Sequence, residues 1–204
     1  MKIHRPFLLP CSELSPDAGL VLVNLYGTAF LNAPESGGSR LAPAPGAPEL
    51  FAYLTTKGIE WYLTTEVPAM VAYRELVGPD AWPLNFKFEL VDRLAAILSL
   101  PVKVLIVYGH RHVAYPDISD KFPPVSSMEL RAHPRVLIGR PTSIFELDAE
   151  AAYAHQFAHL TYNPTKSAAS LVDLIPAQER AQHPEIFPPN AGQTPAAPSS
   201  PGSS

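Results

Sequence analysis

Polar side chains that could take part in chemistry follow several short apolar segments of this chain. They are Asn24, Tyr26, Thr28, Thr64, Thr65, Lys87, His110, His112 and Asp117. Hydroxyl, ammonium and backbone N–H groups can bind an anion without a metal ion. Two histidines beside a carboxylate can instead bind a transition metal, with one coordination position left open. Anion binding and metal binding are therefore the two kinds of chemistry that these residue types allow.

Four apolar runs are predicted to form the strands that position these side chains. Leu20–Val23 is a continuous apolar run that ends shortly before Gly27, which is typical of a strand buried in a parallel sheet. The other predicted strands are residues 59–63, 102–108 and 136–138. Predicted helices cover residues 49–57, 68–77, 87–98 and 148–159, with a further one at 165–174, and residues 34–48 are predicted to form a loop.

The alternation of these strands and helices indicates the fold class. We expect an α/β fold, with a three-layer, Rossmann-like, mostly parallel sheet, helices on both faces and no large cap. In such folds the ligand binds in the crevice beyond the carboxyl ends of the strands. That rule predicts a site formed by residues 24–28, by Thr64 and Thr65, and by the loop at 109–117.

Charge and composition exclude several classes of function. A formal net charge of -4, with 15 Lys and Arg among 204 residues, leaves no broad basic face for general nucleic-acid binding. No apolar stretch reaches the roughly 20 residues that span a membrane, and the first residues do not form a signal peptide. We therefore expect a cytoplasmic protein that does not enter the membrane. The single cysteine, Cys11, excludes an internal disulfide and a cysteine-rich metal site.

The composition also suggests how the chain is divided. Residues 1–18 lack clear periodicity and are predicted to form an N-terminal arm, and residues 19–183 are predicted to form one α/β domain. Residues 184–204 are predicted to be a disordered tail rich in Pro, Ala and Ser. From residue 188 onward this segment has five prolines and no charged or aromatic residue, so it has little apolar surface to bury.

Three features, taken in order, resemble motifs of the haloacid dehalogenase superfamily. The apolar run followed by residues 24–28 (Asn-Leu-Tyr-Gly-Thr) resembles the family's Asp-x-Asp-Gly-Thr loop. The segment from Pro45 through a helix to Thr64 resembles the approach to the family's Ser/Thr motif. Lys87 stands at the start of a predicted helix, as the family's lysine does. The resemblance implies that Thr28, Thr64, Thr65 and Lys87 hold phosphate oxygens.

Two further segments extend the resemblance. The strand at 102–108 ends at Gly109, where the family places an acidic motif. The stretch that begins at Val136 resembles the capless domains of this superfamily found in some bacterial RNA-repair proteins. The short spacing between the motifs leaves no room for a separate cap domain.

The chemical groups that the resemblance assigns to catalysis are replaced in this chain. The family's nucleophilic, magnesium-binding Asp is Asn24 here, and an amide is neither such a nucleophile nor a charged ligand. The family's acid is Tyr26, whose ordinary pKa near 10 suits that role poorly. The acidic motif is replaced by His110-Arg111-His112. We therefore expect no catalytic residues, no cofactor and no magnesium.

These departures predict a catalytically degenerate domain that acts by binding either a partner protein or a small phosphorylated ligand. One alternative is an active phosphatase-type hydrolase with a rebuilt site, in which His110, His112 and Asp117 hold a transition metal. Another is an accessory protein, for example of a phage, whose fold is only a scaffold. His155 and His159, four positions apart on a predicted helix, would share one helix face and form a second, weaker metal candidate.

Overall fold

A computed structural model describes residues 8–32, 41–65, 69–78, 80, 86–108, 111–115, 134–139, 157–162 and 169–188. Nine strands lie in these ranges: β1 Leu8–Cys11, β2 Leu20–Asn24, β3 Phe30–Asn32, β4 Leu41–Pro43, β5 Glu60–Thr65, β6 Val104–Tyr108, β7 Arg111–Tyr115, β8 Arg135–Ile138 and β9 Phe157–Leu160. The helices are α1 Ala47–Thr56, α2 Ala69–Val77, α3 Phe86–Leu98, a 3₁₀ helix at Leu171–Leu174, and α4 Ala177–Gln182.

The central sheet has seven strands in the order β1-β9-β8-β2-β5-β6-β7. Neighbours from β1 to β6 run parallel, and only the edge strand β7 pairs in an antiparallel direction, with β6. The predicted α/β fold with a mostly parallel, Rossmann-like sheet is therefore confirmed. A separate two-stranded hairpin, β3–β4, follows β2.

Both faces of the central strand β2 are buried. Val21 and Val23 belong to the main hydrophobic core, while Leu20 and Leu22 point to the opposite face and are equally inaccessible. Alternate residues of a strand face opposite sides of its sheet, so a continuous apolar run is required when layers cover both sides. This explains why β2 lacks the alternating pattern of a half-exposed strand.

The helix at residues 47–56 shows how local sequence sets the helix ends. Gly46 adopts a left-handed conformation (φ 77°) before α1, and Pro48 occupies the first turn, where a missing N–H costs nothing. Gly58, also left-handed (φ 68°), follows its end. Leu50, Phe51 and Leu54 then face the core. The predicted helices at 49–57, 68–77 and 87–98 are confirmed as α1, α2 and α3.

The predicted helix at 148–159 is wrong at its described end. Residues 157–160 form β9, which pairs on one side with β8 and on the other with β1. Phe157 and Leu160 are buried by these neighbours. Two flanking strands decide the conformation of so short a segment, which its own periodicity suggested was helical. Residues 148–156 lie outside the described residues.

The predicted helix at 165–174 is also wrong within the described residues. Only Leu171–Leu174 is helical, as a single 3₁₀ turn, and Ser170 caps it with a reciprocal bond to Asp173. A cap at Ser170 defines a helix start that a longer helix through this position would not have. Residues 165–168 lie outside the described residues.

Five elements lie where the sequence predicted neither a strand nor a helix, among them β3, which follows the loop at 24–28. Strand β1 lies in the predicted N-terminal arm, and β4 lies in the predicted loop at 34–48. Strand β7 occupies most of the loop expected after residue 108, and α4 follows the 3₁₀ helix. All five are strands or helices of six residues or fewer, whose stability comes from packing and not from their own sequence.

The predicted start of the tail at residue 184 is wrong. Ile186 and Phe187 pack against the core, and the Phe187 ring lies 6.1 Å from that of Tyr53. Both side chains are apolar and large enough to offset the cost of ordering the segment. The domain therefore extends to at least residue 187, while residues 189–204 lie outside the described residues. Among the described helices, none is long and apolar enough to cross a membrane.

Candidate functional site

The strand order defines one crevice at the carboxyl edge of the sheet. From β2 the chain places β5 and β6 on one side and, later, β8 and β9 on the other. The order thus reverses at β2, and ligands of open α/β sheets bind at such a reversal, beyond the strand ends. Asn24 ends β2, Thr64 is the last residue but one of β5, and Gly139 directly follows β8; these three residues form the strand-end site.

Asn24 and Thr64 meet directly across two neighbouring strands. They are paired in register, and Asn24 Nδ2 donates a long hydrogen bond of 3.4 Å to Thr64 Oγ1. The Thr64 hydroxyl in turn donates to the carbonyl of Val23 at 3.4 Å. Asn24 is only 5% exposed, and its Oδ1 finds no hydrogen-bond partner among the described residues. The two predicted site residues are therefore brought together as a neutral pair.

Gly139 closes the other side of Asn24. Its backbone is left-handed (φ 105°), and a Cβ at this position would lie 2.3 Å from Thr28 Oγ1 and 2.5 Å from Asn24 Oδ1. Any larger residue would collide with both side chains. The backbone of β8 therefore takes the space beside Asn24 that a side chain would otherwise occupy, and Thr28 is drawn into the same site.

His159 belongs to this region, although its role was not foreseen. Its Nε2 lies 2.7 Å from the carbonyl oxygen of Gly139, and since a carbonyl only accepts, Nε2 donates. The Gly139 N–H donates to Leu160 O at 2.9 Å. The predicted face shared with His155 depended on a helix that is absent at His159, which lies in β9. No local pattern in the sequence indicates this contact, since it joins two separate strands.

Tyr26 is held in its neutral form. Burial raises the pKa of Tyr26 far above its ordinary value of 10.0, and the nearby carboxylate of Glu75 on α2 adds to this effect. A phenol that does not ionise near neutral pH neither protonates a leaving group readily nor binds a hard cation. Tyr26 therefore adds no charge to the strand-end site.

In the loop at residues 24–28, two backbone N–H groups take no part in the hydrogen bonds that hold the turn together. The N–H of Gly27 donates to Phe30 O and that of Ala29 to Asn24 O, whereas those of Tyr26 and Thr28 take no part in these bonds. Gly27 is exposed, left-handed (φ 69°), and faces open space. Backbone N–H groups around such a turn, together with the Thr28 hydroxyl, can bind one anionic oxygen.

The other two predicted ligand residues are Thr65 and Lys87. Thr65 is buried one position beyond Thr64, and its strand neighbour is Ile106 of β6. Lys87 is the second residue of α3, and its side chain lies outside the described residues.

The predicted histidine loop is wrong for His112. This residue lies in β7, paired with Val107, at the edge of the sheet. Three strand spacings separate β7 from β2, or about 14 Å at roughly 4.8 Å each. Strand β2 pairs with β5 on one side and with β8 on the other. Gly139, which follows β8, therefore adjoins Asn24, and His112 does not. His110 and Asp117 lie outside the described residues. Within the described ranges, no three His, Cys, Asp or Glu side chains are grouped to hold a metal ion.

The fold and this geometry define a Rossmann-like α/β domain with a neutral site at its strand ends. No family model matches the chain, and no curated protein and no solved structure is significantly similar to it.

Proposed function

We propose that this protein is a catalytically inactive α/β domain, related in organisation to the haloacid dehalogenase superfamily, that acts by binding a small phosphorylated ligand at residues 24–28. The contact between Asn24 and Thr64 carries the proposal. The resemblance puts a carboxylate at position 24, where it would attack phosphorus and bind magnesium. The amide that stands there has no negative charge for either role.

The loop at residues 24–28 carries groups that can bind phosphate without catalysing a reaction, which supports the proposed ligand binding. Among the described residues, the Tyr26 and Thr28 N–H groups make no backbone hydrogen bond, and the proposal gives them and the Thr28 hydroxyl to the ligand. Lys87, near the start of α3, supplies the positive charge in this proposal, as the resemblance implies. The Glu75 carboxylate, which lies near Tyr26, disfavours an anion at that side of the loop. The ligand is therefore expected on the Thr28 side.

A thermal-shift titration with inorganic phosphate, in the presence of a chelator, tests this binding. At ten times the dissociation constant, phosphate should stabilise the folded protein by about 1.4 kcal/mol and raise its Tm by about 3–5 °C. Lys87→Ala should lose that response and keep the unliganded Tm. Lys103→Ala is the matched control, because Lys103 lies by the opposite, amino end of β6 and pairs with Glu60.

The response should weaken in high salt, because charges are screened over about 10 Å at 0.1 M ionic strength. Equal responses from wild type and Lys87→Ala would remove Lys87 from the site. Turnover of an aryl phosphate with magnesium or zinc, if lost in Asn24→Ala, would overturn the proposal that the domain is inactive.

A second candidate function is that of a partner-binding scaffold with no ligand at the strand ends. One observation favours it: Asn24, Thr28 and Thr64 are each at least 95% buried, and the Thr64 hydroxyl already serves the Val23 carbonyl. Ser and Thr often make such backbone bonds for structural reasons alone. A folded wild-type protein that shows no response to phosphate would support this function over the first.

A further inference from the structure

A continuous line of contacts crosses four neighbouring strand ends. It runs from His159 on β9 to the Gly139 carbonyl after β8, from the Gly139 backbone to Asn24 and Thr28, and from Asn24 to Thr64 on β5. The line includes one short hydrogen bond, the 2.7 Å bond from His159. The hydrogen bond from Asn24 to Thr64 is long, and the Asn24 Oδ1 has no partner among the described residues, so these groups restrain the site only weakly.

We infer that His159 is a positioning residue for the strand-end site. The peptide of Gly139 is held on both sides by β9, since its N–H donates to Leu160 O and its carbonyl accepts from His159. A Cβ at Gly139 would overlap Thr28 and Asn24, so the Gly139 backbone packs closely against both side chains. A small movement of this backbone therefore displaces both of them. His159 thereby fixes where the Thr28 donors stand without contacting the ligand. The inference rests on the proposed function for its effect on binding, but not for the contact itself.

Two substitutions separate hydrogen bonding from bulk at this position. His159→Gln keeps a side-chain N–H that can reach the Gly139 carbonyl, whereas His159→Leu fills the space and leaves that carbonyl unpaired. We expect His159→Leu to weaken phosphate binding about tenfold, as loss of a partner for a buried carbonyl would. His159→Gln should bind phosphate as wild type does. His183→Leu, at another half-buried histidine, one that contacts Tyr53 and Glu185, should also bind normally.

A second measurement needs no ligand. In ¹H–¹⁵N spectra of the full chain, the side-chain amide signal of Asn24 should move in His159→Leu and stay in place in His159→Gln. If His159→Leu fails to fold, His159→Ala removes the donor without added bulk and takes its place in the comparison with the Gln variant.

The two measurements distinguish failure of the inference from failure of the proposed function. Phosphate binding that is unchanged in His159→Leu, with an unmoved Asn24 signal, would overturn the inference and leave the proposed function standing. A wild type that does not bind phosphate, with an Asn24 signal that moves only in the Leu variant, would overturn the proposed function and support the positioning role. No binding and no movement would overturn both.

Discussion

The strand-end site and the junction between α1 and α4 differ sharply in charge and in the quality of their hydrogen bonds. At the strand ends, neutral Asn24 and Thr64 meet at 3.4 Å, and within the described part of the chain the Asn24 Oδ1 has no hydrogen-bond partner. At the helix junction, buried Glu179 accepts from Tyr53 Oη at 3.0 Å and pairs with Lys57 at 3.2 Å. These charged contacts thus hold α1 and α4 together and do not line the crevice where a ligand is expected.

The pKa shifts at the helix junction follow from these contacts. The hydrogen bond from Tyr53 and then the contact with Lys57 lower the pKa of Glu179 below its ordinary value, against the opposing effect of burial. Burial, and then the bond to Glu179, raise the pKa of Tyr53. The carboxylate therefore stays charged and the phenol neutral near pH 7. A perturbed carboxylate identifies a structural ion pair here, although such groups are also common in active sites.

Asn24→Asp is expected to have the largest effect, because it places a charge in the neutral strand-end site. A carboxylate buried at this position has no cation beside it in the described structure, so we expect a loss of about 3 kcal/mol in the free energy of unfolding. For a chain of this size that lowers the Tm by about 6–12 °C. The same change at exposed Asn32 should leave the Tm unaffected.

The loss in Asn24→Asp should depend on pH with a definite sign. Burial raises the pKa of a carboxyl in the folded state, so the deficit is complete above that pKa and disappears below the unfolded value of about 3.9. Melting curves from pH 3.5 to 8 would measure it. Magnesium should not restore the lost stability; recovery of the wild-type Tm with magnesium would show that the site still holds a cation.

Glu179→Gln tests the other region. The variant keeps the shape of the side chain and removes the charge that Lys57 faces, for an expected cost of about 2 kcal/mol in unfolding free energy at pH 7. Because the pKa of Glu179 is lowered in the folded state, its contribution is present above the ordinary value of 4.5 and is lost as the pH falls through the folded value.

Denaturant unfolding of wild type and Glu179→Gln between pH 3 and 8 would measure this difference. The two should converge in acid. Glu185→Gln is the matched control, because Glu185 is exposed and contacts only His183 among the groups described here. A difference between wild type and Glu179→Gln that stays constant down to pH 3 would contradict the ion-pair account.

The smallest effects are expected at the C-terminus. Removal of residues 189–204 should leave the Tm within error, because the segment has no apolar residue larger than Ala or Pro. Removal of residues 184–204 also deletes Ile186 and Phe187, which pack on the core, and should cost about 1–2 kcal/mol. Thermal melts of both truncations would test the boundary. A drop of several degrees for the shorter truncation would show that the last residues also pack on the domain.

Elements that carry a local apolar pattern could be predicted from the sequence, whereas elements held by pairing with distant strands could not. Strand β2 and helices α1 and α3 carry an apolar pattern, with Pro and Gly at the ends of α1, and all three were predicted from the sequence. Strand β9 pairs with β1 on one side and with β8 on the other, and neither partner is next to it in sequence. No local pattern specifies such a pairing, so residues 157–159 were predicted to be helical.

The sequence by itself determined that positions 24 and 26 carry no carboxylate. An amide and a phenol stand there whatever the fold, and the loop at 24–28 and Thr64 follow strands that local patterns identify. Only the tertiary structure decided that β8 lies beside β2, so that Gly139 adjoins Asn24 and is itself held by His159, whereas His112 stands in the edge strand β7. The physical reason is that side-chain identity is a property of each residue, whereas adjacency in a parallel sheet depends on long crossovers whose packing involves the whole chain.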